Sequence, residues 1–240
     1  MPVLRRLLCA ALLLGAAAPL HARQVQVTDA EIDQLIAELD RRSATARHML
    51  ESMRMGRVPV VIGSHHQMVS DVTRLSREWA PETRRPVGLM AASFAPGEER
   101  RRVNRILIAL DIALVDEIFA EARDQPSRVS WDVIRREEML AVLGHELSHA
   151  YGLVLRDGDV GGQCEDPTEG ADPSTSCVVV FENLIRSELG IPLDWGYGMS
   201  SPAQLAARYE ALAERQEMLG DISYRTLRFL RTFVAEGTAN

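Results

Sequence analysis

The chain has 240 residues, 46% of them hydrophobic and 25% charged, with 27 basic against 34 acidic side chains and a net charge of -7. That acidic balance argues against nucleic-acid binding, and the apolar fraction argues against a disordered chain or a scaffold held by disulfides alone. The length suits one compact domain with a real core, expected over residues 23–240.

The first residues run Met-Pro-Val-Leu-Arg-Arg, then an apolar stretch from Leu7 to Ala18, then Leu20-His21-Ala22. Basic, apolar and small residues in that order describe a secretory signal peptide over residues 1–22, cleaved after Ala22. The apolar stretch is too short for a hydrocarbon core that needs about 20 residues. No membrane span is therefore expected in the mature chain, and the location is expected to be periplasmic or secreted. Cys9 falls inside this leader. Cys164 and Cys177 remain, and in an oxidising compartment such a pair is expected to form a disulfide.

Thr28 followed by Glu31 reads as a capping box, and Ile32, Leu35, Ile36 and Leu39 recur at helical spacing, which predicts one helix from about Asp29 toward Arg54. Val58 to Ile62, bounded by Gly56 and Gly63, reads as a short strand, and Ser64 to Trp79 returns to a helical pattern. Pro81 and Pro86 bracket a turn. Val87 to Phe94 and Arg105 to Asp111 read as strands, with the charged stretch from Gly97 to Arg102 as a solvated hairpin tip. Arg105 to Asp111 is the strand expected at the edge of a cleft. Ser130 then caps a long helix, with Ile134, Leu140, Leu143 and Leu147 as apolar positions, ending near Gly152. Arg156 to Ser176 is a long polar loop. A helix from about Cys177 stops at Gly190-Ile191-Pro192, and two more, about Pro202 to Leu219 and Ile222 to Ala235, complete an α+β chain whose second half is helical.

The chemistry lies in His-Glu-Leu-Ser-His at 145 to 149, late in the long helix. Residues four apart on a helix share a face, so His145 and His149 can hold one zinc ion while Glu146 stands beside it. Zinc on two imidazoles and a carboxylate keeps a position for water, and an adjacent glutamate accepts the water's proton as it attacks a carbonyl. No third histidine follows the motif, so a carboxylate must complete the set. Glu182, in an apolar run on the next helix, is the first candidate, because an unpartnered buried carboxylate is costly. Glu165, Asp166, Glu169 and Asp172 in the acidic loop compete with it. His65-His66 is read as solvated, and Asp157-Gly158-Asp159 lacks the alternate oxygens of a calcium loop.

The pairing of His-Glu-Leu-Ser-His-Ala at 145 to 150 with Phe-Glu-Asn-Leu-Ile-Arg-Ser-Glu-Leu-Gly-Ile-Pro at 181 to 192 resembles the bacterial effector-type zinc metallopeptidases, over about Arg136 to Tyr197. The resemblance implies a zincin-like fold, with a small sheet packed on the long motif helix, and cleavage of peptide bonds. It implies that Tyr197 donates to the oxyanion, and that Asn183 and Arg186 support Glu182 or contact substrate. Asp194 stands where that family tends to have an arginine, and Thr175, Ser176 and Cys177 stand where it has acidic residues. If an earlier acid such as Glu169 holds the metal, Glu182 stands behind a ligand instead. The alternatives to a protease are an adaptor that binds zinc without turnover and a hydrolase of peptidoglycan peptides.

Overall fold

A computed structural model describes residues 25–68, 87–94, 103–155, 176–195 and 200–214. The expected leader, the expected hairpin tip at 97–102, Cys164, the four loop acids, Tyr197 and the last expected helix lie outside these residues.

Strand β1 (Val25–Val27) leads into helices α1 (Ala30–Arg42) and α2 (Ala44–Met55), where the sequence pattern predicts one continuous helix. The break is made by Ser43. Its N–H closes α1 on Leu39 O at 2.9 Å, its backbone is extended, and its hydroxyl accepts from Ala46 N at 3.0 Å to open α2. One serine thus satisfies groups at two helix ends that would otherwise lack partners. The first cap also differs from the expected one. Asp29, not Thr28, accepts from Glu31 N and Ile32 N at 2.9 and 3.2 Å, while the Thr28 N–H is taken by Ile62 O at 2.9 Å, beside the strand pairing.

Strands β2 (Val60–Ser64), β3 (Gly88–Phe94) and β4 (Val103–Leu110) join β1 in one sheet ordered β1-β2-β4-β3. β1, β2 and β4 run parallel, and β3 runs antiparallel to β4 with Gly88 opposite Leu110. The expected cleft-edge strand, Arg105 to Asp111, is therefore misplaced. Arg105 to Leu110 lie in β4, hydrogen-bonded on both sides, Asp111 falls after its end, and the outer strand on that side is β3.

Alternation decides which side chains enter the main core. Val60, Ile62, Ile106, Ile108 and Leu110 face it, together with Ala92, whereas Val61, Leu107 and Ala109 pack with Met68 on the other face. Helix α3 (Ile112–Ala120) follows β4 at once, capped by Asp111 Oδ1 on Leu114 N at 3.0 Å. Sequence reading passes over it because apolar residues continue on both sides of Asp111, from Ile106 to Leu110 and from Ile112 to Val115, and mark no change of element. α4 (Trp131–Leu155) is the motif helix and packs against β3, β4, α1, α2 and α5 (Cys177–Leu189). α6 (Pro202–Glu214) completes the described chain. The fold is α+β, with a small mixed sheet and mostly helical content, and among the described residues no helix is long and apolar enough to cross a membrane.

Candidate metal centre

Two glycines let the motif helix come close to its neighbours. A Cβ on Gly144 would lie 3.0 Å from Ile185 Cδ1, so the absence of a side chain there brings α5 tight against α4. A Cβ on Gly88 would lie 2.6 Å from Glu146 Oε1 and 2.6 Å from Val142 Cγ1, so β3 begins directly against the Glu146 carboxylate. Glu146 is 7% exposed.

The two histidines meet as their spacing predicts. His149 Nε2 lies 3.3 Å from His145 Nε2, with the ring planes 73° apart. Zinc–imidazole bonds of 2.0–2.1 Å at a tetrahedral angle separate two ligating nitrogens by roughly 3.3 Å. The pair already has that separation. At the other end of the ring, His145 Nδ1 is 2.9 Å from Glu182 Oε2. A carboxylate there accepts a hydrogen bond from Nδ1–H, which keeps the proton on that nitrogen, leaves the Nε2 lone pair available and holds the ring plane.

Glu182, expected first as the third ligand, thus stands behind His145 rather than beside both Nε2 atoms. Its other oxygen, Oε1, accepts from Arg186 Nε at 2.7 Å. Among the described residues no group of three or more His, Cys, Asp and Glu side chains gathers to hold a metal. The imidazoles fit two positions of a zinc site, and Glu165, Asp166, Glu169 and Asp172 lie outside the described residues.

Arg186 is buried, 4% exposed, and lies between two carboxylates. Its Nη1 and Nη2 reach Glu138 Oε1 and Oε2 at 3.0 and 2.7 Å, and Nη1 also donates to Pro192 O at 3.1 Å. Burial alone would lower the guanidinium pKa, but the charges of Glu138 and Glu182 and their hydrogen bonds outweigh it and hold it above its ordinary value. Tyr209 on α6 donates to Glu138 Oε1 at 3.0 Å. Burial first, then the Glu138 charge, raises the Tyr209 hydroxyl well above the usual phenol range, so it stays protonated and donates. A continuous path runs from Tyr209 through Glu138, Arg186 and Glu182 to His145.

The other residues of the 181 to 192 segment have structural tasks. Asn183 Nδ2 donates to Asp194 O at 2.7 Å and its Oδ1 accepts from Asp194 N at 2.8 Å, which pins the chain after α5. Glu188 accepts from Thr45 N at 3.1 Å, from Thr45 Oγ1 at 2.9 Å and from the Ser43 hydroxyl, joining α5 to the start of α2. Gly190, at φ 74°, ends α5, with Ile191 N on Arg186 O and Gly190 N on Ser187 O. That is the left-handed ending that favours glycine. Asp194, at the position where the resemblance leads one to expect an arginine, accepts from Arg208 Nη1 at 2.5 Å, so the guanidinium comes from α6 instead.

Sequence reasoning placed Arg186 beside Glu182 but missed Glu138, Tyr209 and Gly88. Glu138 had a signal: it lies seven residues before His145, two helical turns along the same face, among buried apolar positions. Tyr209 had none, because only the folded chain brings α6 to α4. Cys177 is disulfide-bonded, and its partner lies outside the described residues. His65, expected in solvent, is partly buried with Nδ1 3.9 Å from the Asp111 carboxylate, whereas His66 is exposed.

Compared with known proteins, the chain matches no family model, no curated protein and no solved structure.

Proposed function

We propose that this chain is an exported zinc-dependent metallopeptidase with a zincin-like fold, in which His145 and His149 bind the metal and Glu146 is the general base. The observation that carries the reading is the 3.3 Å separation of the two Nε2 atoms, with Glu182 on His145 Nδ1. The third ligand is assigned to one of the loop acids Glu165, Asp166, Glu169 or Asp172, because Glu182 is engaged behind the ring.

Zinc, when bound, supplies the Lewis acidity that polarises a carbonyl and brings the pKa of a water toward ~7. Glu146 accepts the proton of the attacking water and delivers it to the departing nitrogen. The carbonyl carbon gains a C–O bond, the C–N bond breaks, and the products are a carboxylate and an amine. Tyr197 is assigned the hydrogen bond to the oxyanion, a role worth about 3 kcal/mol in comparable sites. The outer strand β3 starts beside Glu146 and runs antiparallel to its neighbour, so an extended peptide could pair with its backbone next to the base.

The test is Glu146→Gln, which keeps the shape and removes the base. Peptide cleavage is expected to fall by roughly 10²–10⁴-fold with zinc content unchanged. Cleavage retained in that variant would rule out the mechanism. A wild-type chain that binds zinc but cleaves no peptide would instead favour an adaptor that uses the metal without turnover.

A further inference from the structure

The buried ion cluster beneath the histidines is costly to build. Glu138 and Arg186 are 2% and 4% exposed and Glu182 8%, and one guanidinium faces two carboxylates. Taking such charges out of water costs several kcal/mol per ion, and an apolar replacement of similar volume is often as stable or more so. Stability alone therefore gives little reason for this cluster. Its position suggests another.

Arg186 bonds both Glu138 and Glu182. Its Nε takes Glu182 Oε1, which leaves Oε2 directed at His145 Nδ1. The planar guanidinium fork is in turn fixed by the bidentate bond to Glu138, whose Oε1 is held by Tyr209. Glu138 and His145 are both on α4, so the cluster leaves the motif helix, crosses to α5 and returns to the same helix two turns later. Such a closed path fixes the Glu182 rotamer from both ends.

We propose that Arg186 and Glu138 are positioning residues of the metal centre, acting through Glu182 to fix the tautomer and ring plane of His145 so that Nε2 faces His149. The inference rests on the metal reading for its purpose but not for its test, because the His145 tautomer can be read in the metal-free protein. With two carboxylates against one guanidinium, the cluster also presents an excess of negative charge behind the ring, which favours a cation bound at Nε2.

The experiment uses the mature chain and two variants. In the first, Glu138→Leu, Arg186→Met and Tyr209→Phe together replace the cluster with apolar groups. The second, Glu138→Gln, is nearly isosteric and carries the test alone if the triple variant does not fold. Zinc affinity is measured by competition with a chromophoric chelator, and the His145 ring nitrogens are followed by NMR without metal. The expected result is a 10–100-fold loss of zinc affinity in the triple variant, a smaller loss in Glu138→Gln, and conversion of His145 from a single Nδ1–H form to a mixture. Folded variants with wild-type zinc affinity and an unchanged His145 spectrum would overturn the proposal while leaving the metal reading intact. A wild-type chain that binds no zinc, with His145 still responding to the variants, would support the positioning and overturn the metal reading.

Discussion

At the residue scale, Gly88 sets how closely β3 approaches the motif helix. A methyl group there meets Glu146 Oε1 and Val142 Cγ1, each at 2.6 Å; the carboxylate end can move aside, but the stiff β-branched Val142 on α4 cannot do so without cost. Gly88→Ala is therefore expected to cut peptide turnover by about tenfold or more through displacement of the base and to lower stability by about 1–3 kcal/mol through overpacking, with zinc content unchanged. Steady-state kinetics beside thermal unfolding checks both halves, and turnover equal to wild type would show that Glu146 does not need its place against β3. Glu38 gives a residue-scale test of pH dependence. Burial raises its carboxyl, but hydrogen bonds from Arg136 and Arg42 more than offset this and hold it below its ordinary value. A lowered carboxyl favours the folded chain above its ordinary value and loses that contribution as the pH falls through its folded pKa. Glu38→Gln is expected to be less stable than wild type at about pH 7, with the gap closing toward about pH 3, as urea unfolding at both values would measure. A gap that stays constant with pH would contradict the assignment.

At the element scale, the joint between α1 and α2 depends on one hydroxyl. Ser43 is fully buried, accepts from Ala46 N and donates to Glu188, so Ser43→Ala removes a cap and leaves a carboxylate short of a donor. A loss of about 1–2 kcal/mol in unfolding free energy is expected. A loss under a few tenths would mean that Thr45, which also binds Glu188, suffices. This joint shows why the elements were only partly legible in the sequence. The apolar spacing of α1 and α2 was readable, but Ser43 between them looks like any polar helix position until Glu188, far along the chain, supplies its partner. Gly190 followed by Pro192 stopped α5 where the sequence indicated, because that signal is local. The pair His145 and His149 was legible for the same reason, as helical spacing alone brings the two together. Glu182 is read from the sequence as a metal ligand, and its place on His145 Nδ1 depends on how α5 packs at Gly144, a tertiary fact. The cleft edge was misplaced because alternation marks β3 and β4 equally and does not order them in a sheet.

At the scale of the whole molecule, the sheet, the motif helix and α5 form one core, and the site lies where they converge. A ligand that binds only the folded chain stabilises it by mass action, so zinc at about 100 times its dissociation constant is expected to add about 2.7 kcal/mol, and a chelator to remove it. Differential scanning calorimetry with and without zinc measures this, and the same scan on His149→Ala is expected to show no zinc-dependent shift. Reduction of the disulfide at Cys177 is expected to cost about 2–4 kcal/mol independently of metal, seen as a lower melting temperature with reductant in the zinc-free chain. Metal binding by the two motif histidines is measured as the metal content of the purified chain, by elemental mass spectrometry beside His145→Ala and His149→Ala. About one zinc per wild-type chain and little in either variant is expected. Zinc absent from the wild type, or present equally in all three, would contradict the metal assignment.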